Sequence, residues 1–149
     1  MADSSNDDVI TQKFCSECGE SVINKCEVCK QSIKGRPRYV SQIDPPFAYF
    51  SGPYFKPSFC INCGNTYPWT SSKKEAAFEL IQFSEALNPT EKEDLKNSIN
   101  DLVTNSPKIN VAIVKFKTYT AKAGTEIAKG LRDILIDIVG EAVKKSIWG

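Results

Sequence analysis

All six cysteines lie between Phe14 and Trp69, in three Cys-x-x-Cys pairs: Cys15/Cys18 in FCSECG, Cys26/Cys29 in KCEVCK and Cys60/Cys63 in FCINCG. Two thiolates two residues apart, followed by Gly or a residue standing in for it, form a knuckle that presents both sulfurs to one tetrahedral zinc ion. Six cysteines and no histidine cannot fill two four-ligand sites. The arithmetic implies one closed four-cysteine site, one Zn2+ per chain, and a leftover pair. Two partitions compete. In the local one, Cys15, Cys18, Cys26 and Cys29 share the metal, and the seven residues between Cys18 and Cys26 must reverse the chain at once. In the long-range one, Cys26, Cys29, Cys60 and Cys63 share it across a thirty-residue insert that supplies short strands, as in a zinc ribbon. The long-range partition is preferred, because hairpin-forming sequence between two knuckles is the usual ribbon arrangement. Cys15 and Cys18 are then left to bind weakly with water or Asp7/Asp8, to pair with a second chain, or to stay a reduced dithiol. A redox Cys-x-x-Cys is the sharper reading of that pair, but no thioredoxin-like strand and helix surround it.

The elements that must hold these thiols divide the 149 residues unevenly. Residues 1–70 contain every Cys, six of the eight Pro and ten of the fifteen aromatic residues. Residues 71–149 are rich in Lys, Glu, Leu, Ile and Ala. The pattern predicts a small α+β protein: a flexible polar leader over 1–13, a zinc-ribbon module of knuckles and short β-strands over 14–70, and an all-α region of about four helices over 71–149. In the insert, Pro37, Pro45, Pro46, Pro53 and Pro57 forbid a helix. Its crowded rings, from Tyr39 and Phe47 to Tyr54 and Phe59, are expected to exclude water where aliphatic core is scarce.

In the second half, Ser72 with Glu75 and Thr90 with Glu93 read as capping boxes opening two helices. The apolar stripes are Ala77, Leu80, Ile81, Ser84 and Leu87 in the first and Leu95, Ile99, Leu102 and Val103 in the second. Ser106 as cap and Pro107 as first helical residue begin a third helix, with Ile109, Ala112, Ile113, Phe116 and Thr120 inward. Its four lysines, Lys108, Lys115, Lys117 and Lys122, have no acidic residue among them. Gly124 interrupts, and a last helix runs from Thr125 towards Ile147, with Ala142 and Val143 on its apolar face and Asp133, Asp137 and Glu141 in one row.

The knuckle sequences resemble an uncharacterised bacterial family of zinc-ribbon proteins, a domain of unknown function. The matching segments are KFCSECG, INKCEVC with IKG, and FCINCG followed by NTYPWT at Asn65–Thr70. The Tyr-Pro-Trp-Thr element is the most specific of them, and the similarity runs from Lys13 onward, more loosely through the helical region. Relatives similar to this chain begin with a Cys-x-x-Gly-His segment that would supply two further ligands to the Cys15/Cys18 knuckle. That segment is missing here. The resemblance implies zinc and fold rather than an activity.

Charge and motif limit the function classes. Lys and Arg match Asp and Glu at seven each up to residue 70 and stand at twelve against eleven after it, so there is no global case for nucleic acid. No apolar run is long enough to span a bilayer and no cleavable signal opens the chain, which points to the cytoplasm, where thiols stay reduced. With no His, no phosphate-cradling Gly loop and no nucleophile elbow, and with a four-thiolate site that leaves zinc no open position, an enzyme is not expected. The expected function is a non-enzymatic zinc-binding adaptor acting through protein contacts with an unidentified partner or with itself. Two alternatives compete with it. Residues 107–149 would rest on a membrane surface or oligomerise through their amphipathic helices, with small residues at Ala123, Gly124, Gly130 and Gly140. Otherwise Lys34, Arg36, Arg38 and Tyr39 would form a basic and aromatic patch for single-stranded nucleic acid.

Overall fold

Among the described residues, turns more than strands build the N-terminal half. The structure, a computed structural model, describes the backbone of residues 13–35, 38–43, 48–50 and 55–149, with side chains at all of these except 38, 39 and 48–50. The expected leader up to Gln12, Arg36, the prolines at 37, 45, 46 and 53, and the rings of Phe47 and Tyr54 lie outside the described residues. Between the second and third knuckles, β1 (Arg38–Val40) pairs antiparallel with β2 (Ala48–Phe50), setting Tyr39 opposite Tyr49. Isolated bridges join Phe14 to Ser21 and Lys25 to Ser32. The β part of the expected α+β class is thus slight among the described residues: one two-stranded sheet and isolated bridge positions, Phe59 and Thr66 being two more of these.

The chain forms two compact units, Met1–Asn65 and Thr66–Gly149. Five helices make up the second: α1 (Pro68–Gln82), α2 (Pro89–Thr104), α3 (Ile109–Ala123), α4 (Thr125–Leu135) and α5 (Glu141–Trp148). Helix α2 packs on α3 and α1, α4 packs on α1 and α3, and α5 folds back on α3. The core is aliphatic. Ala77, Ile81, Leu95, Ile99, Leu131 and Leu135 are fully enclosed, with Phe116 between them and the edge of Trp148, whose ring centroid lies 6.0 Å away at 90°. The second helix shows the sequence stripe in full, since Leu95, Ile99, Leu102 and Val103 are all buried.

Helix boundaries differ from the sequence expectation: α1 ends at Gln82, so Ser84 and Leu87 of the expected stripe are buried from the connection that follows it rather than from the helix. Helix α1 starts at Pro68 with Tyr67 as N-cap, so Ser72 and Glu75 lie inside the helix and form no capping box. A proline's fixed φ preorganises the first helical position, and Pro68 nucleates the turn before Ser72 is reached. Helix α2 likewise starts at Pro89, and its box is Asn88 with Glu91 rather than Thr90 with Glu93. The Glu91 N–H donates to Asn88 Oδ1 at 2.8 Å and the Asn88 N–H to Glu91 Oε2 at 2.9 Å. Ser106 does not cap directly at a helical Pro107. Its Oγ accepts from the Lys108 N–H at 3.2 Å and bonds Asp101 at 2.9 Å, and α3 begins only at Ile109.

The expected last helix is two helices. Residues 136–140 leave the α-helical path and bury the adjacent Ile138 and Val139, and Gly140, a poor helix former, opens α5. The break carries Val143 and Trp148 back onto the bundle, leaves Ala142 exposed, and dissolves the acidic row. Asp137 pairs with Lys73 of α1, and Glu141 with Lys144 at 2.6 Å. Gly130 is taken up within the bundle: a methyl added there would meet Leu80 Cδ2 of α1 at 2.7 Å.

Candidate metal centre

Each Cys-x-x-Cys pair folds into the same turn. The first cysteine's N–H donates to the carbonyl five residues on: Cys15 to Glu20 at 2.7 Å, Cys26 to Gln31 and Cys60 to Asn65 at 2.8 Å. Its carbonyl in turn accepts from the N–H four residues on, of Gly19, Lys30 or Gly64, each at 2.9 Å. That residue must adopt positive φ, and the values are 72°, 62° and 72°. Glycine meets the demand without a Cβ conflict, whereas Lys30 takes it as a side-chain-bearing residue, its Nζ donating to the Glu27 carbonyl at 2.7 Å.

The second and third knuckles face one another. The Sγ atoms of Cys26, Cys29, Cys60 and Cys63 all lie within 4.8 Å of one another. Cys26 Sγ is 3.7 Å from Cys63 Sγ, and Cys29 Sγ is 3.6 Å from Cys60 Sγ. Four sulfurs each about 2.3 Å from a zinc ion would form a tetrahedron with edges of about 3.8 Å. A disulfide would need about 2.05 Å, and all six cysteines are free. The donor set and its spacing therefore fit a soft tetrahedral cation. Zinc bound there would supply four metal–sulfur bonds joining segments thirty residues apart in sequence.

The surrounding groups favour the thiolate at Cys60 and Cys63. Backbone N–H groups of Cys63 and Asn62 donate to Cys60 Sγ and hold its pKa down to about 6. The Asn65 amide and its backbone N–H do the same for Cys63, the side-chain Nδ2 lying 3.3 Å from Sγ. Cys26 receives the Cys29 N–H, but burial and the nearby Cys63 and Cys60 sulfurs outweigh it and push the thiol up. The knuckle sequences draw attention to cysteines alone, and Asn65 is the contributor that motif reading passes over. The signal was its place two residues past the last cysteine, where a short amide reaches back to sulfur.

Cys15 and Cys18 do not join this group. The local partition with Cys26 and Cys29 is not assembled, although the first knuckle has its full hydrogen-bonded turn. The N–H groups of Cys18 and Glu17 lower the Cys15 thiol, and Cys18 is exposed. Asp7 and Asp8, proposed as partners for the pair, lie outside the described residues. Of the suggested nucleic-acid patch, Lys34 is exposed on irregular backbone, Arg38 and Tyr39 begin β1 with side chains outside the description, and Arg36 is outside it altogether. The patch's geometry is thus open at three of its four side chains.

In the helical unit, a cavity of about 400 Å³ between α3, α4 and α5 is lined by Phe116 and Trp148 with Lys117, Lys129 and Arg132. No carboxylate or thiol lines it, so it presents no acid–base pair. Of the four lysines expected on the third helix, Lys108 is the N-cap of α3 and two others are engaged with α2: Lys115 Nζ with Asp94 at 2.8 Å and Lys122 Nζ with Glu91 at 2.6 Å. No helix among the described residues is long and apolar enough to cross a membrane.

Neither the curated proteins nor the solved structures gave a match to the chain. Residues 1–147 match a family described as an uncharacterized protein conserved in bacteria, DUF2321. The match spans the knuckles and runs into α5, and the chain belongs to that bacterial family.

Proposed function

We propose that the chain is a non-enzymatic zinc-binding adaptor, in which a four-cysteine zinc ribbon presents a protein-contact surface. The observation that carries this reading is what the N-terminal unit buries. Among its described residues only Cys26 and Cys60 are buried, each 3% exposed. Where the described interior consists of ligand sulfurs, metal–sulfur bonds stand in for an apolar core, and structural zinc sites contribute on the order of 10 kcal/mol to folding. Four thiolates saturate the ion and leave no position for an activated water, which favours a structural over a catalytic role.

The same unit keeps large apolar side chains outside. Val28 and Ile61, at 65% and 72% exposed, sit between the cysteines of the two metal-site knuckles, and Val40, Ile43 and Phe55 are exposed as well. Apolar tips on a rigid metal-held turn suit burial against another protein. The ion pairs of Lys115 and Lys122 make the membrane-surface reading less favoured, because half of the lysines it relies on already neutralise carboxylates of the bundle. Reduced thiols belong to a reducing compartment such as the cytoplasm, which this reading adopts.

The test compares affinity capture by the wild-type chain and by Val28→Asp/Ile61→Asp in the native bacterial lysate, with zinc content measured on both. The reading expects a specific protein retained by the wild type and lost by a variant that still holds its zinc. Equal retention by both, or no retained protein at all, contradicts it.

A further inference from the structure

The first knuckle is a finished half of a metal site. FCSECG at 14–19 and FCINCG at 59–64 are an internal repeat, alike at Phe, both cysteines and Gly. Their turns share the same two backbone hydrogen bonds and the same positive φ of 72° at the glycine. Their surroundings differ. Cys60 is 3% exposed and has the Cys29 sulfur at 3.6 Å, whereas no third or fourth metal-ligating side chain approaches Cys15 and Cys18 among the described residues. Phe59 is half-buried, but its counterpart Phe14 is 62% exposed; Ile33 of the second knuckle is half-buried, but its counterpart Val22 is 39% exposed. The first knuckle thus presents two convergent thiols with an uncovered apolar flank on either side.

We propose that Cys15 and Cys18 bind a second zinc ion jointly with Cys15 and Cys18 of another copy of the chain, so that the metal bridges a two-fold dimer. A knuckle supplies two of the four sulfurs that zinc takes in a closed site, and a two-fold axis through the ion supplies the other two from the same residues. The self-pairing is isologous, and it lays Phe14 and Val22 of one copy near those of the other, removing apolar surface from water. On binding, the four thiols lose their protons to solvent as four zinc–sulfur bonds form, with no redox change. The inference goes beyond the adaptor reading and does not need it, since the four-cysteine centre is complete within one chain.

Native mass spectrometry of the full-length, reduced, zinc-loaded protein reads metal and chain number together. The account expects dimers carrying one ion per chain plus one shared, a zinc-to-chain ratio of three to two. In Cys15→Ser/Cys18→Ser the particle mass should halve and the ratio fall to one to one, with far-ultraviolet circular dichroism unchanged. Titrating a chelator into the wild type should remove the bridging ion first, giving monomers that keep one zinc. A wild-type monomer with one zinc overturns the proposal, as does a monomer with two, which would mean completion within the chain. A dimer that survives the double substitution overturns it too. Each of these results leaves the ion at Cys26, Cys29, Cys60 and Cys63 in place, so loss of that ion would separately identify failure of the adaptor reading.

Discussion

At the scale of single residues, the metal site depends on groups that are not ligands. Asn65 donates to Cys63 Sγ through both its amide and its backbone, lowering the thiol's pKa. Replacing it with Ala removes the amide donor, raises the proton's hold on Cys63, and should weaken zinc binding by about 10-fold or more, the usual cost of losing an outer-sphere partner. Because the lost donor favoured the thiolate, the deficit should be larger at pH 6 than at pH 8, which competition against a chromophoric chelator at the two pH values will show. Lys30 provides a second test. It holds a left-handed φ of 62° where the other knuckles have glycine. Lys30→Gly should leave zinc affinity near wild type, whereas the β-branched Lys30→Val should destabilise the loaded knuckle by about 1–2 kcal/mol, measured by the same competition. Equal behaviour of the two variants would contradict the assigned role of the turn. The cysteines were legible from spacing alone because a Cys-x-x-Cys-Gly turn is encoded locally. Asn65 and Lys30 were passed over, since the reach of the Asn65 amide back to Cys63 Sγ and the positive φ of Lys30 are set by the turn's geometry, which composition does not display.

At the scale of elements, the helices are joined by a buried stripe and a polar clamp. Leu95 is fully enclosed between α2 and its neighbours. Leu95→Ala should cost about 2–5 kcal/mol and lower the thermal midpoint of the helical unit by more than about 10 °C in calorimetry. The clamp is Asp94 on α2, which accepts from Lys115 Nζ at 2.8 Å and from Tyr119 Oη at 3.1 Å on α3. The Lys115 ammonium, then the Tyr119 hydroxyl, lower the Asp94 pKa, and Asp94 raises those of Lys115 and Tyr119. The Asp94 contribution is present above its unfolded carboxylate pKa and is lost as pH falls through its lowered folded value. The Lys115 and Tyr119 contributions are present below their unfolded values and are lost as pH rises through their raised folded ones. Stability of the α2–α3 pair should therefore decline at both acidic and alkaline extremes, and Asp94→Asn should flatten both limbs in denaturant midpoints measured across pH. A variant whose profile matches the wild type would exclude the clamp as a source of that dependence. The stripe expected for the first helix holds within α1 only as far as Ile81, with Ser84 and Leu87 beyond its end, whereas the stripe on α2 could be read from periodicity, and so could the stop at Gly124. Helix starts could not, because Pro68 and Pro89 set them ahead of the serine and threonine that resemble caps. The split at 136–140 also stayed hidden: Ile134, Leu135, Ile138 and Val143 keep helical spacing across it, while the break buries Ile138, Val139 and Val143 and sets Trp148 against Phe116.

At the scale of the whole molecule, two units rest on different physics. The helical unit buries an aliphatic core that needs no metal, while the N-terminal unit buries two cysteines and little else among its described residues. Composition already separated the halves, with every cysteine on one side and the long aliphatic stripes on the other. The pairing of knuckles was open in the sequence, because two partitions satisfy the same ligand count and only the three-dimensional approach of Cys26 to Cys63 and Cys29 to Cys60 distinguishes them. Binding free energy at such a site is folding free energy for the segment it closes. The most direct test is hydrogen–deuterium exchange of the reduced full-length protein with zinc bound and after complete chelation. The account predicts that amides of the metal-site knuckles, among them Cys26 to Gln31 and Cys60 to Asn65, lose protection on chelation while peptides from α1 to α4 keep theirs. Knuckle amides that stay protected once the ion is gone would contradict the claim that the metal holds this half of the chain together.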